Sequence, residues 1–459
     1  MKGFLRATFW ALLLVALARA GTAAADDANR ALLTRPIDYT DVADAFEPGH
    51  AVDVNLQLGY RRDMASGTIE RETADSTAQD GQTTRHHVDV AKSVRVRNEL
   101  ALRLDVGVFH DVMVFARLPI VLSDDNELRP ADGVACTPPV ASTGCSALQE
   151  PIGSAMQPQP GAQSLFDLSH NLISARRSGV PHFDFGAAWA VINQYRTRQL
   201  PTWVLVITGS ADTGKVMQAC LDGHTCNPGV SRGTAKLELE SRWSYRYRFF
   251  EPFFGLSHAF EWIAGGESAY HPAGKLDGIV DDGPPQVTQG TLGTAFLPWE
   301  DRARFQRFEL DLQGSAAFIG AGRDFSPLFD ALGSSQNPQL TAPSYDRTGA
   351  GRHAVPFTGV TNVEEHARLG LDMRLALQAA RYVRFAFGFG LSYLTSHLIT
   401  GAPACDTSVQ ASAGDPRSTG CSAGIADPVQ RPAIDTPGRR FRLEGDVTVR
   451  LALAAMGQF

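Results

Sequence analysis

The chain has 459 residues, 44% of them hydrophobic and 20% charged, with a formal net charge of −7 at pH 7. These are ordinary values for a folded protein, and the acidic balance argues against nucleic acid as a partner. No stretch reaches the ~18 unbroken apolar residues of a membrane-crossing helix.

In chain order, Lys2 and Arg6 precede an apolar core over 9–18, with small-residue cleavage sites after Ala20 and Ala25. This is the pattern of a secretory signal peptide, 1–25, and the chain is expected to be exported. Six cysteines follow as three close pairs: Cys136 with Cys145, Cys220 with Cys226, and Cys405 with Cys421. None has the spacing of a zinc or redox site, so sequential disulfides bracing loops are expected.

From residue 51 onward the chain alternates apolar and polar residues in short runs. Strands are predicted over 51–61, 94–108, 112–122, 181–192, 202–209, 234–247, 253–263, 289–297, 306–319, 366–378, 382–395 and 441–459. Long and short connections alternate strictly between them, and every cysteine falls in a long one. In the last run Val447, Val449, Leu451, Leu453 and the terminal Phe459 share one face; Arg442, Glu444, Asp446 and Arg450 take the other.

An aromatic last residue in phase with the apolar face resembles the closing strand of bacterial outer-membrane β-barrels. The resemblance covers nearly the whole exported chain. It implies an all-β, transmembrane, antiparallel up-and-down barrel of about 12 strands, with long disulfide-braced outer loops and short periplasmic turns. Residues 26–50 would be a periplasmic segment and 51–459 the barrel. Phe459 would be the signal read by the assembly machinery of a Gram-negative outer membrane, and lipopolysaccharide would surround the outer rim. A narrower stretch, with Gly179, Gly186 and Trp189, is similar to barrels related to the phenol-degradation meta-pathway transporters. Pro181 and His182 stand where that group has Gly and Asp. This second resemblance implies passage of small hydrophobic compounds.

The polar faces carry the functional information. Basic candidates for the lumen are Arg95, Arg97, Arg103, Lys236, Arg242, Arg246, Arg368, Arg374, Arg442 and Arg450. Acidic ones are Asp53, Glu99, Asp105, Glu238, Glu240, Asp372, Glu444 and Asp446. Charges shielded from lipid must meet water or one another, so a wet channel or a salt-bridged network follows. A wide porin needs more strands.

Other motifs read as chance. Gly209 to Lys215 fits a phosphate loop but lacks the following Ser or Thr. Ser257 and His258 are adjacent strand residues facing opposite ways, which no nucleophile–base pair can be. His86, His87 and Asp89, the acidic run Asp124 to Glu127, and Asp281 with Asp282 are expected to be solvated loop residues. Neither cofactor nor catalytic residue is expected. The reading is a passive channel or transporter for small solutes, hydrophobic ones included; the alternatives are a non-conducting barrel presenting its loops for adhesion, receptor or envelope-structure roles, and an embedded hydrolase.

Overall fold

The computed structural model describes residues 36–47, 50–75, 84–132, 164–265, 269–270, 278–301, 303–341, 344–346, 353–415, 418 and 420–459. The expected signal peptide lies outside them.

Twelve long strands dominate: β1 Val54–Asp75, β2 Thr84–Phe109, β3 Val112–Pro130, β4 His182–Ile192, β5 Thr202–Asp212 and β6 Thr234–Ser244 form the first half. β7 Phe250–Ile263, β8 Val287–Asp301, β9 Gln306–Ile319, β10 His366–Ala380, β11 Val383–Leu394 and β12 Phe441–Gln458 complete it. Each pairs antiparallel with its sequence neighbours, and β12 pairs with both β11 and β1, so the sheet closes into a barrel. Closure leaves no edge, and every wall strand has a partner on both sides. At the seam, Val54 and Phe459 exchange both backbone hydrogen bonds, at 3.0 and 2.8 Å.

The period of two sets the faces. Leu56, Leu104, Leu239, Leu292, Leu371 and Leu453 are all exposed on the outside, Leu292 by 68%. The charged partners of the alternation point inward and bond one another. Exposed aromatics gather at the short-turn end, among them Tyr195, Tyr245, Tyr247, Phe249, Phe305, Tyr382 and Phe459, and Trp203 stacks on Trp243 at 4.8 Å.

Two expectations about the strands change. Residues 62–75 and 84–92 of the polar segment are strand: β1 and β2 continue through them as a paired ribbon, with His86, His87 and Asp89 in β2. Beyond Arg62 neither face of that ribbon is uniformly apolar, which hid the strands from a period-of-two reading. The acidic run Asp124 to Glu127 likewise lies within β3, where Asp124 is buried.

The described parts of the long loops form a cap. Leu165, Phe166, Leu168, Leu328, Leu332, Leu340, Ile399 and Ile434 pack with the outer ends of β1–β3 and β12 into one buried apolar core. Three buried arginines staple it. Arg177 donates to Asp330 at 2.6 Å and to the Gln218 carbonyl; Arg323 donates to Asn362 and the Val360 carbonyl; Arg431 donates to the carbonyls of Leu340 and Val355.

Two of the three expected disulfides are present among the described residues, joining Cys220 to Cys226 and Cys405 to Cys421. The third differs. Cys136 and Cys145 both lie outside the described residues, so a bond between Cys136 and Cys145 is an expectation from spacing alone and not a feature of the described fold.

Candidate functional site

The segment 36–47, expected in the periplasm, instead turns into the barrel from the short-turn end. Its contacts are side chains of the inner wall. The Pro36 carbonyl accepts from Arg307 at 3.3 Å, the Tyr39 hydroxyl reaches Glu240 at 3.4 Å, and Thr40 meets Ser244 at 2.7 Å. Tyr39 packs against Phe253 at 4.7 Å between ring centres, with the Arg242 guanidinium 5.2 Å above its ring. Asp44 pairs with Arg196 and accepts from the Asp111 amide at the mouth.

Two inward glycines make room for this segment. A Cβ on Gly255 would stand 1.7 Å from the Tyr39 hydroxyl, and one on Gly107 would stand 2.0 Å from the Asp44 carbonyl oxygen. Neither position tolerates a side chain while the segment is seated.

The charges fall into two networks. Near the floor, Arg307 and Arg384 hold the fully buried Glu309, Arg374 holds Asp311 at 3.0 Å, and Asp38 of the inserted segment pairs with both Arg374 and Arg384. Three guanidinium groups thus face three carboxylates only while Asp38 is in place. On the opposite side, Glu99 takes Arg61 at 3.2 Å and Arg97 and Arg117 at 3.0 Å, and Asp124 takes Arg95 at 2.7 and 2.6 Å. Arg117 continues to Asp184 at 3.3 Å, and Arg450 ties in through Asp63 at 2.9 Å.

Other candidates pair along their own strands: Arg103 with Asp105 at 2.7 Å, Lys236 with Glu238 at 3.0 Å, and Arg242 with Glu240 at 2.6 Å. Arg246 meets Glu251 at 3.1 Å in the turn after β6. Asp53 sits at the mouth, its carbonyl accepting from Gly107. Arg368 stands at the outer end of the lumen without an ion pair within 4 Å among the described residues, as does Asp446. Arg442 and Glu444 do not line the lumen. A bulge between Glu444 and Val447, with Gly445 at φ +63°, reverses the faces of β12. Phe441 and Leu443 therefore turn inward and bury, while Glu444 is exposed.

Sequence reasoning missed Asp38, Tyr39 and Asp44 because a dozen residues without periodicity carry no strand signal. It missed Asp63 because the first strand was ended at Arg61. The chance motifs are placed plainly. Ser257 faces in and His258 out, where it bonds Thr288 at 2.8 Å. Gly209 lies within β5, and no helix follows Lys215. No cluster of three metal-ligating residues occurs among the described residues. Gly179 takes φ +132°, a Cβ on Gly186 would strike the Phe115 ring at 2.5 Å, and Trp189 is exposed on the outer face.

Between inserted segment and cap, the lumen holds a cavity of about 370 Å³. Asp38 and Tyr39 form part of its wall, with Arg242, Asp311, Asp372, Arg374 and Arg450. These groups lie inside the barrel yet remain accessible: the Arg450 side chain is 42% exposed and that of Asp372 29%.

An apolar outer face, a charged interior and a closed antiparallel seam decide the fold. The chain has an outer-membrane β-barrel fold. No protein-family model matches it, and no characterised relative matches by sequence. Among solved structures it is similar to an outer membrane channel from Pseudomonas putida F1, at 9% identity and TM-score 0.39, over 92% of this chain and 99% of that one. It is also similar to a Pseudomonas aeruginosa FadL homologue, at 7% and 0.31, over 89% and 90%. A third is the outer membrane protease OmpT from Escherichia coli, at 7% and 0.30, over 93% and 100%. These likenesses are too remote to carry a functional argument, and they include both channels and a protease.

Proposed function

We propose that the protein is a gated channel that lets small solutes cross the outer membrane of a Gram-negative bacterium without covalent chemistry. The observation that supports this is the cavity of about 370 Å³ bounded by Asp38 and Tyr39. Buried charge is costly unless paired or wet, and a barrel built only as a plug-filled scaffold has no use for accessible arginines and carboxylates at its centre. The segment 36–47 is the gate. It is held by ion pairs, side-chain hydrogen bonds and the packing of Ile37, Tyr39 and Ala43 on the inner wall rather than by strand pairing with the wall, so it leaves without opening the barrel.

Export would use the signal peptide over 1–25, and Phe459 would present the closing strand to the assembly machinery. The surrounding partner is outer-membrane lipid with lipopolysaccharide. Liposome swelling tests the reading: vesicles carrying the refolded protein should swell in small polar solutes faster than empty vesicles. Equal rates, with the barrel shown to be inserted, would remove the channel.

The loop cap favours a second reading, a non-conducting barrel that presents its loops. Its buried arginine staples give the outer surface a fixed shape, as a docking or adhesion surface needs. Swelling separates the two.

A further inference from the structure

The cavity also says what kind of solute it takes. Asp372 of β10, Gly390 of β11 and Arg450 of β12 lie side by side in one row across three adjacent strands. Residues in register on neighbouring strands are about 4.8 Å apart, so a carboxylate and a guanidinium flank a position that has no side chain. A Cβ on Gly390 would stand 2.3 Å from Asp372 Oδ1, so glycine is what lets the carboxylate lean across this notch toward Arg450.

Both charged groups keep unused hydrogen-bonding capacity. Arg450 spends its Nε on Asp63 at 2.9 Å, while its Nη1 is 3.9 Å from Asp372, beyond a hydrogen bond. Asp372 has only a long contact, 3.5 Å, from the Gln313 amide. The other charged groups of the cavity are engaged: Arg242 with Glu240, and Arg374 with Asp311 and Asp38. A guanidinium with free donors beside a carboxylate with free acceptors, a few ångströms apart, suits a ligand carrying a carboxylate and an ammonium on neighbouring atoms. The Tyr39–Phe253 aromatic pair belongs to the same cavity and offers an apolar wall to the rest of the molecule.

We propose that this notch is a binding site for zwitterionic solutes of α-amino-acid type, with Arg450 taking the carboxylate, Asp372 the ammonium and the Tyr39–Phe253 wall an aromatic or apolar side chain. The proposal rests on the channel reading for its biological use, but binding is measured separately from passage. A hydrocarbon would leave both charges unsatisfied by the ligand, and a simple anion or cation would answer one of them.

Calorimetric titration of the full-length folded barrel in detergent tests this, with phenylalanine as the probe and 3-phenylpropionate, 2-phenylethylamine and toluene as comparators. Phenylalanine should bind tightest. Asp372→Asn and Arg450→Gln should each weaken it by roughly ten- to a hundredfold, the range expected for one charge-assisted hydrogen bond. Because Arg450 also holds Asp63, Gly390→Ala provides an independent variant that pushes the Asp372 carboxylate aside and keeps every charge; it should weaken binding as Asp372→Asn does, in a barrel that still shows the heat-dependent gel shift. Toluene or a singly charged comparator binding as tightly, or phenylalanine binding unchanged in Gly390→Ala, would overturn the site. Zwitterion binding with no swelling in any vesicle would retain the site and remove the channel.

Discussion

The hydroxyl of Tyr39 occupies the space that a side chain on Gly255 would fill, 1.7 Å from the position of its Cβ. The inner wall is thus shaped to the inserted segment, and one methyl group is enough to contest the seat. Gly255→Ala should displace Tyr39 while leaving β7 paired with β6 and β8, since alanine accepts extended backbone. Single-channel recording should show larger or more frequent openings than wild type, by several-fold.

Asp38 closes a charge balance. Without it, Arg374 and the buried Arg384 face only Glu309 and Asp311. Removing one partner of a buried pair costs about 3–5 kcal/mol; because Arg384 keeps Glu309, the lower part of that range is expected. The loss falls on the seated segment and not on the wall. Asp38→Asn should expose 36–47 to added protease from the short-turn side, read as amino-terminal trimming of an otherwise intact barrel.

Arg177 and Asp330 do the same for the cap. Asp330 accepts from Arg177 at 2.6 Å and from the Cys220 amide at 2.8 Å, and the guanidinium lies 5.7 Å from the Phe329 ring. Arg177→Met leaves a buried carboxylate without its cation, again about 3–5 kcal/mol. Outer-loop cleavage by chymotrypsin on intact vesicles should rise sharply in this variant. Arg177→Lys should fall between, because a lysine lacks the planar fork that reaches several acceptors at once.

His397 gives the cap a pH dependence. Its ring stacks at 3.7 Å on His366, the first residue of β10, at the outer rim, and burial pushes its pKa down to about 4, with His366 and Arg442 adding to the effect. A detached loop would take the proton near the ordinary value of 6.5, so the open state binds more protons between about 4 and 6.5. Its packing is therefore fully stable above about 6.5 and weakens as pH falls toward 4. Asp427 works in the opposite sense, because burial raises its carboxyl to about 7. The difference between wild type and His397→Gln isolates the histidine: protease resistance of the loops should lose that part of its pH dependence in the variant.

All twelve strands were legible in the sequence, because lipid outside and charge inside impose a period of two that turns interrupt. The 306–319 strand matches β9 residue for residue, whereas 234–247 overran β6, 253–263 started late in β7 and 289–297 fell short of β8 at both ends. What stayed hidden obeys other rules. The ribbon of β1 and β2 beyond Arg62 meets the loop cap through Ile69, Val90 and Ala91 rather than lipid, so the alternation that marks a spanning strand disappears. One bulge at Gly445 flips every side chain beyond it, which moved Arg442 and Glu444 off the lumen. The inserted segment is irregular and recognisable only from what surrounds it: Gly107 and Gly255 without side chains, and three arginines of the wall, Arg307, Arg374 and Arg384, facing two wall carboxylates, Glu309 and Asp311. The stapled cap depends on arginines meeting backbone carbonyls far away in sequence, which no local pattern announces.

The most direct measurement is the single-channel conductance of a Gly255→Ala, Asp38→Asn double variant beside wild type, both shown to be inserted by the heat-dependent gel shift. If 36–47 gates a path through the lumen, the variant gives discrete open steps well above those of wild type, and adding Asp372→Asn changes their ion selectivity toward anions. A folded, inserted double variant that passes no current would contradict the account and leave the barrel as a support for its outer loops.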